Sequence, residues 1–137
     1  MKVFNIILGA TIVFFVVMFF RCEKVTEITE LVKNTEKIQI TFYNDSLPDT
    51  YIEITDKSEI RKFDNYISTK ETPVFKCGYD GQILFFMNED VSNGKQNSIV
   101  MEFNLKAECR HVAYNYAGGL QTKEITDKGV EYLNGIK

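Results

Sequence analysis

Cys77, Cys109 and His111 are the residues in this sequence best suited to chemistry. Cys109 and His111 are two positions apart, so both side chains lie on one face of an extended segment, where an imidazole can activate a thiol nucleophile. Such catalysis also needs a group that orients the histidine and donors that stabilise an oxyanion. Because no residue can be assigned to either role, we interpret His111 as a structural or surface residue.

The same three residues make a poor metal site. They supply at most three ligands, and the sequence has no CxxC or HxxxH spacing. Gly118 and Gly119 predict a turn without the pattern that cradles a phosphate, and the adjacent acids Glu89 and Asp90 lie in a polar segment. We therefore predict no enzymatic activity, no catalytic residues, no metal and no cofactor, with an enzyme that uses Cys109 and His111 as the lesser alternative.

A disulfide between Cys77 and Cys109 is the main structural hypothesis for the two domain cysteines. Both fall at turns that a meander would bring to the same end of a sheet, and the bond would close a loop of about 33 residues. One strand would lie between them, which implies a separation of about 9–10 Å, whereas bonded Cα atoms lie within about 7 Å. The turn at Cys109 would have to curl over the sheet, and two separate thiols are the alternative.

Residues 3–20 form an uncharged run in which only Asn5 and Thr11 are clearly polar. A helix of this length spans about 27 Å, close to the hydrocarbon core of a bilayer. The bulky, charged end at Phe20 and Arg21 argues against signal-peptidase cleavage, which prefers small residues. Cys22 is a lipidation candidate because a cysteine after an apolar run resembles a bacterial lipoprotein site, although that family has a small residue where this chain has Arg21. We predict an uncleaved signal anchor, with a lipoprotein signal as the alternative.

The sequence contains conflicting signals about which side of the membrane the domain lies on. One basic residue precedes the span and several follow it, which by the positive-inside rule places the domain in the cytoplasm. The domain cysteines and the usual export layout favour the bacterial periplasm or cell surface. We predict a membrane-anchored, extracytoplasmic domain, with the cytoplasmic orientation as the alternative.

The rest of the chain predicts one α+β domain. We divide the chain into the anchor (1–22), a helical stalk or linker (23–36) and a globular domain (37–137). The domain is predicted to contain a mostly antiparallel sheet of about seven strands and two covering helices, in the order β-β-α-β-β-β-β-β-α. Predicted strands are residues 38–43, 51–55, 74–79, 82–87, 98–106, 110–116 and 120–125. The helices begin after Asp56 and Thr126, both good N-caps, and the first helix has a buried stripe formed by Ile60, Phe63 and Ile67. Residues 83–87 are apolar on both alternating faces, which predicts a central strand covered on both sides.

Asp80 and Gly81 stand between two apolar runs, which is a strong hairpin signal. Residues 75–86, FKCGYDGQILFF, resemble the cysteine-bearing hairpin of the periplasmic C-type lysozyme inhibitors. That resemblance implies a small, exported, antiparallel β protein. It transfers no functional residues, because the family's serine-and-glycine loop and its tryptophan are absent here.

The net charge of the domain limits the classes of partner that it is expected to bind. Beyond Lys2 and Arg21, 14 basic residues face 19 acidic ones, a net charge of −5 that disfavours nucleic acid and anionic surfaces. We expect the membrane to be engaged through residues 3–20 and a protein partner to be bound by the domain, as for an inhibitor, immunity factor or assembly accessory. A structural subunit of an envelope complex is the alternative. Five tyrosines are candidates for one exposed binding patch, with ordinary packing as the alternative: Tyr43, Tyr51, Tyr79, Tyr114 and Tyr116.

Overall fold

Seven antiparallel strands form one sheet in the computed structural model, which describes residues 26–43, 51–88 and 98–137. The strands are β1 (Thr35–Phe42), β2 (Tyr51–Ile54), β3 (Ile67–Glu71), β4 (Gly81–Met87), β5 (Ser98–Asn104), β6 (His111–Tyr116) and β7 (Gly119–Ile125), in the spatial order β2-β1-β4-β5-β6-β7-β3. Three α-helices accompany them in these residues: α1 (Glu27–Asn34), α2 (Lys57–Lys62) and α3 (Asp127–Gly135). The predicted α+β class and antiparallel sheet are confirmed.

The helices pack on one face of this sheet, called here the inner face. Its centre is a row of paired residues in which Ile83 of β4 lies between Ile40 and Met101, all at most 2 % exposed. A 3₁₀ turn (Phe63–Asn65) places Phe63 above this row. The Phe63 ring makes edge contacts with Phe85 of the sheet and, at 5.6 Å, with Tyr132 of α3. The inner face is therefore one continuous apolar core.

Helix α1 belongs to this core. Thr26 caps it by accepting a hydrogen bond from the Thr29 amide, and its apolar side chains Ile28, Leu31 and Val32 are at most 4 % exposed. The sequence pattern predicts a helical stalk or linker here, before a domain beginning at residue 37. The helix is present, but it is packed against the sheet because its spacing gives it one apolar face. It is a third helix covering the sheet, in addition to the two that were predicted to cover it.

The segment after β2 differs from the prediction of one helix whose buried stripe reaches Ile67. Asp56 caps α2 as expected, accepting from the amides of Ser58 and Glu59, but α2 ends at Lys62. Strand β3 then begins at Ile67 and pairs with β7. The helical pattern and the strand share the buried residue Ile67, which is why the spacing alone did not separate them.

Helix α3 begins at Thr126 as predicted, with its hydroxyl accepting from the Gly129 amide. Gly129 has a packing role. A Cβ there would stand 2.5 Å from the Tyr66 carbonyl oxygen and 2.8 Å from Ile125, so only glycine lets α3 dock this closely.

The predicted strand at residues 74–79, and the hairpin that it would form with β4, are wrong. These residues have no strand structure, and Gly78 has a φ of 71°, which interrupts an extended chain. Residues 72–80 instead form a connection from β3, at one edge of the sheet, to the start of β4 near its middle. Gly81 serves close packing, because a Cβ would meet the Phe103 ring at 2.6 Å. Residues 75–86 therefore do not form the hairpin that the resemblance to the lysozyme inhibitors implied.

The predicted membrane span at residues 3–20 and the lipidation candidate Cys22 lie outside the described residues. Among the residues that are described, no helix is long and apolar enough to cross a bilayer.

Candidate functional site

The face of the sheet opposite the helices, called here the outer face, contains the residues singled out for chemistry. Cys77 and Cys109 are joined by a disulfide, with their Cα atoms 6.2 Å apart. The distance expected for a regular meander does not apply, since Cys77 lies in the connection that crosses the sheet and Cys109 ends a 3₁₀ turn (Ala107–Cys109). The bond therefore fastens residues 72–80 to the β5–β6 turn.

His111 lies beneath this connection and is fully buried. Its Nδ1 is 2.6 Å from the Cys109 carbonyl oxygen, which can only accept, so Nδ1 carries the proton and donates it. The ring packs against Phe75 and Tyr79, with centroids 5.2 and 5.7 Å away. Nε2 is buried and has no hydrogen-bond partner among the residues that the structure describes. His111 therefore acts as a packing residue under the disulfide.

This geometry leaves no thiol–imidazole pair. The sulfur of Cys109 is bonded to Cys77, so it is not available as a thiolate nucleophile in this form of the protein. In residues 26–43, 51–88 and 98–137 there is no group of three or more His, Cys, Asp or Glu side chains that could hold a metal ion.

Two polar side chains hold the same connection to the end of β5. Asn104, 1 % exposed, donates to the Gly78 carbonyl at 3.0 Å and accepts from the Lys106 amide at 2.9 Å. Asp80 accepts from the Leu105 amide at 2.7 Å, and its own amide donates to the Phe103 carbonyl. Residues 72–80 thus cover Asn104, His111 and Ala113 of the outer face. We call this covered region the capped end.

The opposite end of the outer face has no such cover among the described elements. Leu84 lies there between Gln39 and Val100, and Phe86 pairs with Ser98. Leu84 and Phe86 are half-buried, whereas Val100 is 45 % exposed and Leu120, which pairs with Asn115, is 56 % exposed. We call the region of Leu84, Phe86, Val100 and Leu120 the open end. The central strand β4 was expected to be covered on both sides, and at the open end this expectation is wrong for the described chain.

The border of the open end is charged. The Lys37 ammonium lies 4.7 Å from the centroid of the Phe86 ring and 3.3 Å from a Glu53 carboxylate oxygen. Hydrogen bonds from Gln39 and then Lys37 lower the pKa of Glu53. The open end is thus an apolar patch beside an ion pair, which is a common composition for a protein-binding surface.

The tyrosines do not form one patch. Tyr114 points to the inner face, is 2 % exposed and faces Glu27 of α1, and burial followed by this carboxylate raises the pKa of its hydroxyl. Within the described part of the chain, the Tyr114 hydroxyl and Glu27 Oε1 are both buried without a well-aligned hydrogen bond. Tyr51 at the β2 edge is 62 % exposed. The alternation of the strands separates the tyrosines between the two faces.

Comparison of the chain with protein-family models, with curated proteins and with solved structures finds no match. Its function is therefore inferred from the geometry of its own surfaces. The open end was not among the sites predicted from the sequence. Its signal was present in residues 83–87, where Leu84 and Phe86 are apolar at positions that a solvent-facing strand fills with polar residues.

Proposed function

We propose that this chain is a small, non-enzymatic binding module that is tethered to a membrane by residues 3–20 and acts by holding a partner protein on the open end of its sheet. The observation that carries the proposal is the apolar character of β4 on both faces. Ile83 and Phe85 fill the inner core, while Leu84 and Phe86 point outward with no described element above them.

Leu84 and Phe86 occupy positions on β4 that polar residues normally fill when one face of a sheet is in water. An antiparallel sheet with one wet face alternates apolar and polar residues, and β4 does not. Contiguous exposed apolar area rimmed by charges is typical of interaction sites. The Lys37–Glu53 pair at the border would orient a partner, whereas Leu84 and Val100 would supply the buried contact.

The location is proposed on two grounds. Residues 3–20 have the length and composition of a signal anchor. The Cys77–Cys109 disulfide favours an oxidising compartment, so we place the domain on the outer side of a bacterial inner membrane or at the cell surface. The bond also occupies the cysteine on which an enzymatic role would depend.

Site-specific photo-crosslinking of the full-length chain in its native cells tests the proposal. A photoreactive amino acid is placed at Val100 and, as a matched control, at Val74, a 63 % exposed valine in the connection over the capped end. We expect a discrete crosslinked partner from Val100 and none from Val74. The partner is then purified and its affinity measured for the wild type, for Leu84→Ser/Val100→Ser and for Val74→Ser.

We expect Leu84→Ser/Val100→Ser to weaken binding by at least about tenfold, since interface anchors commonly contribute more than 1 kcal/mol each. Val74→Ser should bind like the wild type. Equal loss in both variants, or unchanged binding by Leu84→Ser/Val100→Ser, would contradict the proposal.

A further inference from the structure

A groove between α1 and α2 lies on the helix side of the molecule, away from the open end. It has a volume of about 460 Å³. Its floor contains Val32 of α1 and Ile60 of α2, both nearly fully buried in the core beneath. Volumes of about 300–1,000 Å³ with an apolar floor are typical of sites for small ligands.

Cationic side chains line this groove. Lys33, Lys57 and Arg61 contribute three positive charges, and Asp64 is the one acid among the lining residues. Asp64 accepts a hydrogen bond of 2.7 Å from the Thr29 hydroxyl. A cationic groove is unexpected in a domain whose net charge is negative.

The three cationic side chains differ in the hydrogen bonds and ion pairs that they already make within the protein. Lys57 donates to the Thr35 carbonyl at 2.9 Å and pairs with Glu36 at 3.0 Å. Lys33 and Arg61 are exposed and have no ion-pair partner within the part of the chain that the structure describes. Two unpaired charges therefore border an apolar floor, which is an arrangement that favours an anion with an apolar portion.

We propose that this groove, called here the cationic groove, binds a small amphipathic anion. Its phosphate or carboxylate headgroup would lie between Lys33 and Arg61, with the guanidinium donating two parallel hydrogen bonds. Its apolar portion would cover Val32 and Ile60. The headgroup can belong to a free small molecule or to a membrane lipid, and the two sources share this chemistry. The proposal does not depend on the open end or on a protein partner.

Binding of hexyl phosphate to the full-length chain in phosphatidylcholine nanodiscs tests the proposal. Calorimetry gives the affinity, and methyl NMR signals of Val32 and Ile60 report whether the ligand reaches the floor. The test variant is Lys33→Gln/Arg61→Gln, and the matched control is Lys76→Gln/Lys128→Gln, which removes two exposed charges outside the groove.

We expect saturable binding that shifts both methyl signals, is unchanged in the control, and is about fivefold weaker in the test variant because two solvent-exposed charge contacts are lost. A second arm uses nanodiscs that contain phosphatidylglycerol and no hexyl phosphate. Shifts of the same signals there, lost in the test variant, assign the headgroup to lipid, and shifts with hexyl phosphate alone assign it to a free ligand. Absence of shifts in both arms, or equal affinity of the test variant and the control, overturns the proposal.

Discussion

The two faces of the sheet are covered by different means. Three helices and the Phe63 ring cover the inner face with apolar side chains. Among residues 26–43, 51–88 and 98–137, cover on the outer face is found only at its capped end, where residues 72–80 are held by one disulfide and by the side chains of Asn104 and Asp80. Apolar burial thus stabilises one face, whereas covalent and polar fastening stabilises part of the other. We expect the open end to contribute less to stability than the inner face does, in keeping with its proposed role as a partner site.

The same substitution on each face gives the largest expected contrast. Phe63→Ala removes a ring that is 1 % exposed, and we expect the free energy of unfolding to fall by about 3–5 kcal/mol. Phe86→Ala removes a half-buried ring at the open end, with an expected loss of about 1 kcal/mol. Guanidinium unfolding of the full-length chain, followed by tyrosine fluorescence, measures both. Similar losses would mean that the open end is as important to stability as the core.

Opening the disulfide should remove the cover of the capped end. We expect Cys77→Ala/Cys109→Ala to lower the free energy of unfolding by about 3–4 kcal/mol, because the unfolded chain regains the freedom of the closed loop. The measurement is made in a Cys22→Ala background so that no other pairing occurs. Reductant should destabilise the parent by a similar amount and leave the double variant unchanged. A double variant as stable as its parent would show that the cap does not depend on the bond.

A matched pair of asparagines separates the capped end from the open end. Asn104→Ala leaves the Gly78 carbonyl and the Lys106 amide without their partner, at an expected cost of about 2 kcal/mol. Asn115→Ala, at an exposed position of β6, should change stability by less than about 0.5 kcal/mol. Thermal unfolding of both variants, compared with the wild type, checks the difference. Equal costs would contradict the polar fastening of the cap.

Neighbouring residues of β5 point to opposite faces and provide a narrower test. Val100→Ser at the open end should alter stability by no more than about 0.5 kcal/mol. Met101→Ser, one residue further and fully buried, should cost about 3 kcal/mol or more. Denaturant unfolding measures the free energy of unfolding of both variants. A larger loss for Val100→Ser than for Met101→Ser would contradict the difference between the two faces.

We expect the smallest effect from acid, which acts on two ion-paired carboxylates of the outer face. Hydrogen bonds from Gln39 and Lys37 lower the pKa of Glu53, and those from Lys70 and Arg110 lower that of Glu124. A lowered pKa in the folded state stabilises it above the ordinary glutamate pKa of about 4.3, and this is lost as the pH falls through the folded value. Glu53→Gln and Glu124→Gln should flatten the decline of stability below that pH. High salt should do the same in the wild type, and identical acid curves for all three proteins would contradict the assignment.

Several elements of the fold could be predicted because their local pattern agrees with their environment. The alternation in Ser98–Asn104 matches one buried and one exposed face, and the caps Asp56 and Thr126 act within one turn of the chain. Strand β3 (Ile67–Glu71) lacked such a signal. It is an edge strand with one buried residue, so its polar sequence resembled the end of a helix.

The functional surfaces were less accessible to sequence reasoning because they depend on distant pairings. The disulfide between Cys77 and Cys109 was predicted from a hairpin that the structure does not contain. The two cysteines meet because residues 72–80 cross the sheet. The cationic groove brings Lys33 together with Arg61 from another helix, which no local spacing reveals. Residues 83–87 could be recognised as apolar on both alternating faces, but which part of the outer face is covered depends on the strand order and on the path of residues 72–80.

The position of β3 has a consequence for synthesis of the protein. Among the described strands, β3 pairs only with β7, and the strands β4, β5 and β6 lie between these two partners in the sequence. A ribosome working at about 5–20 residues per second would release Ile67 several seconds before its partner Ile125. During that interval the nascent chain carries an unpaired strand, and the polar, exposed residues of β3 are suited to keep it from associating with other chains.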